Sequence, residues 1–142
     1  MKIAIGSDHA GFVMKEQIKE YLASKGIECI DYGTDSEASV DYPVYAKRVA
    51  NAVANGEFEK GILVCGTGIG MSIAANKVPG VRAASIMNEY CADMSRRHND
   101  LNVLCLGGRV LGIEVAKRIT DIFLDTGFEG GKHSRRVNMF EE

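Results

Sequence analysis

Short apolar runs alternate along this chain with longer stretches in which apolar residues recur at helical spacing. Lys2–Gly6 (KIAIG) is an apolar run closed by glycine, the pattern of a short strand. Over Phe12–Ser24, residues Met14, Ile18, Tyr21 and Leu22 fall at i, i+4, i+7 and i+8, one face of a helix. Gly26 is placed to end that helix in the left-handed conformation that glycine adopts most cheaply. Ile27–Tyr32 predicts a second strand. Asp41-Tyr-Pro43 opens a second helix, with Asp41 as N-cap, proline in the first turn, and Ala46, Val49, Ala50 and Val53 as its inward stripe.

The unit then repeats. Gly61–Cys65 predicts a strand, followed by the loop Gly66-Thr-Gly-Ile-Gly70 and a short helix ending near Lys77. After a turn at Val78-Pro-Gly80, Val81–Ile86 predicts a fourth strand and Asn88 to about Arg97 a helix. Asn102–Leu106 predicts a fifth strand, and Gly112–Asp125 a helix with Val115, Ile119, Ile122 and Phe123 inward. Strands separated by helices imply parallel pairing through right-handed crossovers. The expected fold is a single three-layer α/β/α Rossmann-like domain over residues 1–142, with a mostly parallel five-stranded sheet. Residues 126–142 are glycine-rich, then basic; they have no place on the sheet and are expected to pack on a partner subunit.

Composition narrows the class. With 46% hydrophobic and 25% charged residues, the chain is that of a globular protein with an ordinary core. It has no apolar run near the ~20 residues needed to cross a bilayer and no signal-peptide pattern, so Met1 is the expected mature start and the cytoplasm the expected location. A net charge of -2 gives no electrostatic reason to expect nucleic acid or an anionic membrane as partner. Positive charge is local, at Arg96-Arg97-His98 and Lys132-His-Ser-Arg-Arg136. The four cysteines form no CxxC clip, which favours reduced thiols.

In an open parallel sheet, ligands bind beyond the carboxyl ends of the strands. Three such ends carry unusual residues: Gly6-Ser-Asp-His-Ala-Gly11, Cys65-Gly-Thr-Gly-Ile-Gly70 and Gly107-Gly-Arg109. His98-Asn99, at the end of the fourth helix, is expected to reach the same rim. The glycine loop lets backbone approach a ligand closely and points free N–H groups at a phosphate or an enolate-like oxygen. As a dinucleotide fingerprint it is poor, because it follows the third strand and reads GxGxG rather than GxGxxG. That weakens the rival reading of a nucleotide-binding Rossmann module. Cys29, Cys91 and Cys105 read as buried small hydrophobes. Cys65 sits before a helix N-terminus, where a thiolate is favoured and could act as base or nucleophile.

Ser7-Asp-His-Ala-Gly11, Asp41-Tyr-Pro43, Cys65-Gly-Thr-Gly-Ile-Gly70, Ala74-Ala-Asn-Lys77, His98-Asn-Asp100, Gly107-Gly-Arg109 and Gly130-Gly-Lys-His-Ser-Arg-Arg136 follow one another in an order that resembles the type B ribose-5-phosphate isomerases. The resemblance runs from Lys2 to about Val137, and the related galactose-6-phosphate isomerase subunits share much of it. It implies an aldose–ketose isomerase of the pentose phosphate pathway acting through an enediolate, without metal or nucleotide cofactor. The alternatives are a galactose-6-phosphate or allose-6-phosphate isomerase.

By the same resemblance Cys65 is the base, Thr67 relays a proton, and His98 is the acid/base for opening the sugar ring. Residues 66 to 70 (Gly66, Gly68, Ile69 and Gly70 among them) stabilise the oxyanion, and Asp8 and Asn99 bind sugar hydroxyls. Tyr42 lines the sugar site or serves the core. His9, Arg109, Lys132 and Arg136 are the phosphate candidates. The family commonly has arginine where this chain has Lys132, a mobile point charge rather than a bidentate fork; Arg135 is a second cation there. The resemblance also implies a homodimer or homotetramer with active sites shared across the subunit boundary.

Overall fold

The computed structural model describes residues 1–142. Five parallel strands form one sheet in the order β2-β1-β3-β5-β4: β1 (Lys2–Ser7), β2 (Glu28–Asp31), β3 (Gly61–Cys65), β4 (Ala83–Ser85) and β5 (Val103–Gly107). Six helices connect or follow them: α1 (Phe12–Ser24), α2 (Tyr42–Ala54), α3 (Ile69–Ala75), α4 (Glu89–Arg97), α5 (Ile113–Asp125) and α6 (Lys132–Val137).

The two central strands β3 and β5 are buried along their whole length, which explains their unbroken apolar sequence. Alternate residues feed opposite faces. Ile62, Val64, Leu104 and Leu106 pack with Ile18 and Leu22 of α1, Ala92 of α4 and Ile119 and Phe123 of α5. Leu63, Cys65, Val103 and Cys105 pack with Val49 and Ala50 of α2 and Met71 of α3. The result is the expected three-layer arrangement.

Local signals mark the ends. α1 closes with Gly26 at φ +78°, its N–H on the Ala23 carbonyl at 3.0 Å and the Ile27 N–H on the Leu22 carbonyl at 2.9 Å. Asp41 precedes α2 in extended conformation but makes no side-chain capping bond; Asn88 does cap α4, accepting from the Cys91 N–H at 2.8 Å. Lys60, at the foot of β3, donates to the last carbonyls of α5, Phe123 and Leu124, at 3.2 Å each.

Several expectations need correction. The fourth strand is three residues long, because the Asn102 side chain takes the Arg82 N–H at 2.7 Å ahead of the β4 ladder. The buried stripe of α5 is Ala116, Ile119, Thr120, Phe123 and Leu124, while Val115 and Ile122 are only partly buried at the edge of the core. Cys91 is exposed and Cys29 half-buried; of the three cysteines expected in the core, only Cys105 is enclosed. Residues 132 to 137 form a helix with no buried residue, attached to the rest of the chain where α4 and α5 end.

Candidate active site

The chain leaves β1 toward β2 on one side and returns to β3 on the other, so the sheet reverses winding between β1 and β3. A crevice opens beyond the carboxyl ends of strands at such a switch. Asp8 follows the end of β1 and Cys65 ends β3 there. Asp8 is buried, its N–H on the Val64 carbonyl at 3.2 Å and its Oδ1 accepting the Gly11 N–H at 3.0 Å. Gly11 can be nothing larger: a Cβ there would lie 2.3 Å from the Val64 oxygen.

Cys65 is 5% exposed, and its Sγ accepts the N–H of Gly68 at 3.1 Å. Gly68, at φ +81°, turns the chain into α3 and aims that N–H back at the sulfur. Thr67 is exposed, its Oγ1 accepting the Ile69 N–H at 3.2 Å and its carbonyl receiving the Ser85 hydroxyl at 3.0 Å. The Cys65 and Gly66 carbonyls accept the N–H groups of Gly108 (2.8 Å) and Arg109 (3.0 Å), tying this loop to the end of β5. The N–H groups of Gly66, Thr67, Gly70 and Met71 make no hydrogen bond within the chain.

Two further side chains close around the loop. A Cβ on Gly70 would meet the Tyr42 ring at 2.8 Å, so the tyrosine lies directly on the loop; a Cβ on Gly66 would sit 3.6 Å from Arg109 Cδ. Arg109 is exposed and has no acidic partner. His9 Nδ1 accepts the Val40 N–H at 3.1 Å, which leaves Nε2 to carry the ring proton. It is therefore placed to donate from Nε2 to an anion.

His98 and Asn99 are not at this rim, contrary to the expectation. α4 runs from the carboxyl end of β4 to the amino end of β5, so His98 lies at the opposite, amino rim, a strand length or roughly 15 Å away. α5 descends to the same rim, and the Glu129 N–H on the Arg97 carbonyl (3.0 Å) holds the tail there. Lys132, Arg135 and Arg136 are exposed on α6 nearby. The predicted residues thus form two groups. Asp8, His9, Tyr42, Cys65, Gly66, Thr67, Gly68, Ile69, Gly70 and Arg109 come together; His98, Asn99, Lys132 and Arg136 lie apart from them.

The amino-rim group includes two residues that the sequence did not single out. His133 stacks on His98 with ring centroids 4.1 Å apart and planes within 9°, and Glu129 Oε1 lies 3.9 Å from His98 Nε2 and 3.6 Å from His133 Nε2. The i, i+4 spacing of Glu129 and His133 was the available signal. Their donor atoms lie within 4.8 Å of one another, a set that can hold a divalent ion. Near-parallel rings cannot both aim a lone pair at one ion without turning, and Arg97, Lys132 and Arg136 make the place electropositive. The arrangement suits a carboxylate serving two imidazoles better than a metal. A cavity of about 650 Å³ lies along the free edge of β4 between Asn76, Met94, Asn99 and Phe140, away from Cys65.

Residues 3–140 match the family described as Ribose/Galactose Isomerase. The chain is 54% identical over 136 residues to ribose-5-phosphate isomerase B of Escherichia coli (strain K12), covering 96% of this chain and 91% of that one. Ribose-5-phosphate isomerase B of Clostridium thermocellum superposes with a TM-score of 0.98 at 52% identity, over 99% of this chain and 95% of that one. The Mycoplasma genitalium ribose-5-phosphate isomerase B with bound ribulose-5-phosphate gives a TM-score of 0.92 at 43% identity, over 97% of this chain and 92% of that one.

Proposed function

The chain belongs to the ribose/galactose isomerase family, and on that premise we propose that it interconverts ribose 5-phosphate and ribulose 5-phosphate with Cys65 as the base. The observation that carries this is the Gly68 N–H on Cys65 Sγ at 3.1 Å, beside four unpaired N–H groups. An N–H aimed at sulfur fixes its position and gives its charge a partner when it acts as the base. Abstraction of the C2 proton of the open-chain aldose breaks C–H, forms S–H and moves the electron pair onto the carbonyl oxygen. The free N–H groups of Gly66, Thr67, Gly70 and Met71 line the place where that oxygen develops; a donor that meets it contributes roughly 3–4 kcal/mol to such a transition state. Thr67, exposed at the loop, relays a proton between the two enediolate oxygens, and return of the sulfur's proton to C1 gives the ketose.

His98 opens the furanose ring, Asp8 and Asn99 hold hydroxyls, and Tyr42 bounds the sugar. His9, Arg109, Lys132 and Arg136 receive the phosphate. Because His98, Asn99, Lys132 and Arg136 stand at the opposite rim from Cys65, they serve a second copy's Cys65 loop, and the working unit is at least a homodimer related by a two-fold axis. Four free cysteines suit a reducing cytoplasm.

The test is solvent-deuterium incorporation during incubation with ribose 5-phosphate in D2O, comparing wild type with Cys65→Ala. Labelled ketose from the wild type and none from the variant is the expected result. Labelled ketose formed by Cys65→Ala at the wild-type rate would remove Cys65 from the role of base.

A further inference from the structure

The His98 ring makes no hydrogen bond within the chain and its side chain is 40% exposed; alone at a helix end it would turn freely among rotamers. It is not alone. His133 covers one face at 4.1 Å, and the Glu129 carboxylate faces the Nε2 edge of both rings. Glu129 is itself fixed to α4 through its backbone bond to Arg97.

We propose that His133 and Glu129 are positioning residues for His98, holding its ring in the one orientation that serves a sugar-ring oxygen. The proposal rests on the role of His98 in ring opening given above. At 3.6–3.9 Å the carboxylate is too far for a direct hydrogen bond and close enough to attract whichever ring is protonated. The groups facing His133 are His98 and Glu129, with Lys132 and Arg136 on its own helix. Partial desolvation, then the nearby His98, Lys132 and Arg136, hold the His133 imidazole below the ordinary histidine range against the pull of Glu129. A neutral His133 stacks on His98 without like-charge repulsion, leaving the proton that His98 exchanges with the sugar to His98 alone.

A difference between the two substrates gives the test. Ribose 5-phosphate exists mainly as a furanose and must be opened; ribulose 5-phosphate cannot close such a ring, because the oxygen needed carries the phosphate. A residue that positions the ring-opening group therefore affects the forward reaction and not solvent-deuterium exchange at C1 of ribulose 5-phosphate. His133→Asn and Glu129→Gln are expected to lower kcat on ribose 5-phosphate roughly ten- to a hundred-fold, with KM within about two-fold and C1 exchange unchanged. His133→Phe, which keeps the stack without the ring nitrogens, is expected to retain most of the forward rate. In His98→Asn, the His133 titration followed by NMR is expected to move up, since one cause of its depression is gone.

If His133→Asn and Glu129→Gln slow exchange as much as forward turnover, or mainly raise KM, they act in binding or folding and the proposal is overturned. If His98→Asn abolishes forward turnover while His133→Asn and Glu129→Gln run at the wild-type rate, the proposal fails and the role of His98 stands. Wild-type forward turnover by His98→Asn would instead overturn the role of His98 on which the proposal rests.

Discussion

Gly68 and Gly26 share a backbone conformation, φ +81° and +78°, but not an environment. An alanine at either position suffers the left-handed penalty of about 1–2 kcal/mol, part of which the stiffer unfolded chain offsets. At Gly26 nothing lies within 4 Å of the new Cβ, so the penalty ends there. At Gly68 the Cβ would stand 2.6 Å from Ser85 Oγ and 3.1 and 3.3 Å from the backbone carbonyl carbons of Leu106 and Cys105. Ser85 can rotate away, losing its bond to the Thr67 carbonyl at about 1 kcal/mol. The backbone of central strand β5 cannot move, so the loop must. The Gly68 N–H then leaves Cys65 Sγ, and losing one such preorganised donor costs roughly 10²–10³ in kcat. Thermal melts by circular dichroism and steady-state isomerisation of ribose 5-phosphate check this together. Gly26→Ala is expected to lower Tm by roughly 2–5 °C at wild-type kcat, and Gly68→Ala to lower Tm further and kcat by about two orders of magnitude. A Gly68→Ala variant that matches Gly26→Ala in both Tm and kcat would refute the argument.

Mixing Cys65→Ala with His98→Asn, each inactive alone, is expected to restore about a quarter of wild-type activity once subunits exchange, since each mixed dimer contains one intact site; no recovery with proven exchange would sink the shared site. Burial works against the charge of Asp31, yet hydrogen bonds from Lys15 (2.7 Å), Lys19 (2.9 Å) and the Gly33 N–H (2.8 Å) outweigh it and hold the carboxyl below the usual aspartate range. A depressed carboxyl stabilises the fold above its unfolded pKa and loses that contribution as pH falls through the folded value. Urea midpoints should therefore drop below about pH 4, and drop less in Asp31→Asn. Timed iodoacetamide labelling read by intact mass should modify exposed Cys91 first. Cys29, pushed up to about 11 by burial, should follow slowly, and enclosed Cys105 should react only in denaturant; early labelling of Cys105 would contradict its burial.

Much of the fold was legible because its signals are local. The unbroken apolar run Gly61–Cys65 can only be a strand covered on both faces, and Gly26 marks the end of α1 by itself. What was missed depends on partners distant in sequence. Lys15, 1% exposed, reads as a surface residue of α1. Its ammonium is buried against Asp31 at 2.7 Å and the Thr34 carbonyl at 2.6 Å, partners that become neighbours only when β2 pairs with β1. Cys91 was misplaced because a cysteine in a helix reads as apolar, whereas α4 buries only Ala92, Ser95 and Arg96 and leaves Cys91 on its open side. Glu129 and His133 lie in a tail with no periodicity to interpret, and their meaning depends on the position of His98.

The location of His98 was open to inference and has the largest consequence. In a parallel sheet every connecting helix carries the chain from the carboxyl rim back to the amino rim. Residues ending strands and residues ending helices therefore occupy opposite rims, and Cys65 and His98 are one of each. A single chain can unite them only if a later segment returns. α6 does not, since Glu129 is bonded to Arg97 before it and Glu141 to the Gly80 N–H (2.8 Å) after it, both at the amino rim. The apolar Ile69 and Ile73 of α3 meanwhile stand 56% and 59% exposed beside the Cys65 loop. In the homodimer proposed above, a two-fold axis would turn the amino rim of one copy toward the carboxyl rim of the other and would cover that apolar face twice with one contact. The same operation would complete two sites at once, and on that proposal assembly and catalysis become one requirement on the sequence of α3, α4 and the tail.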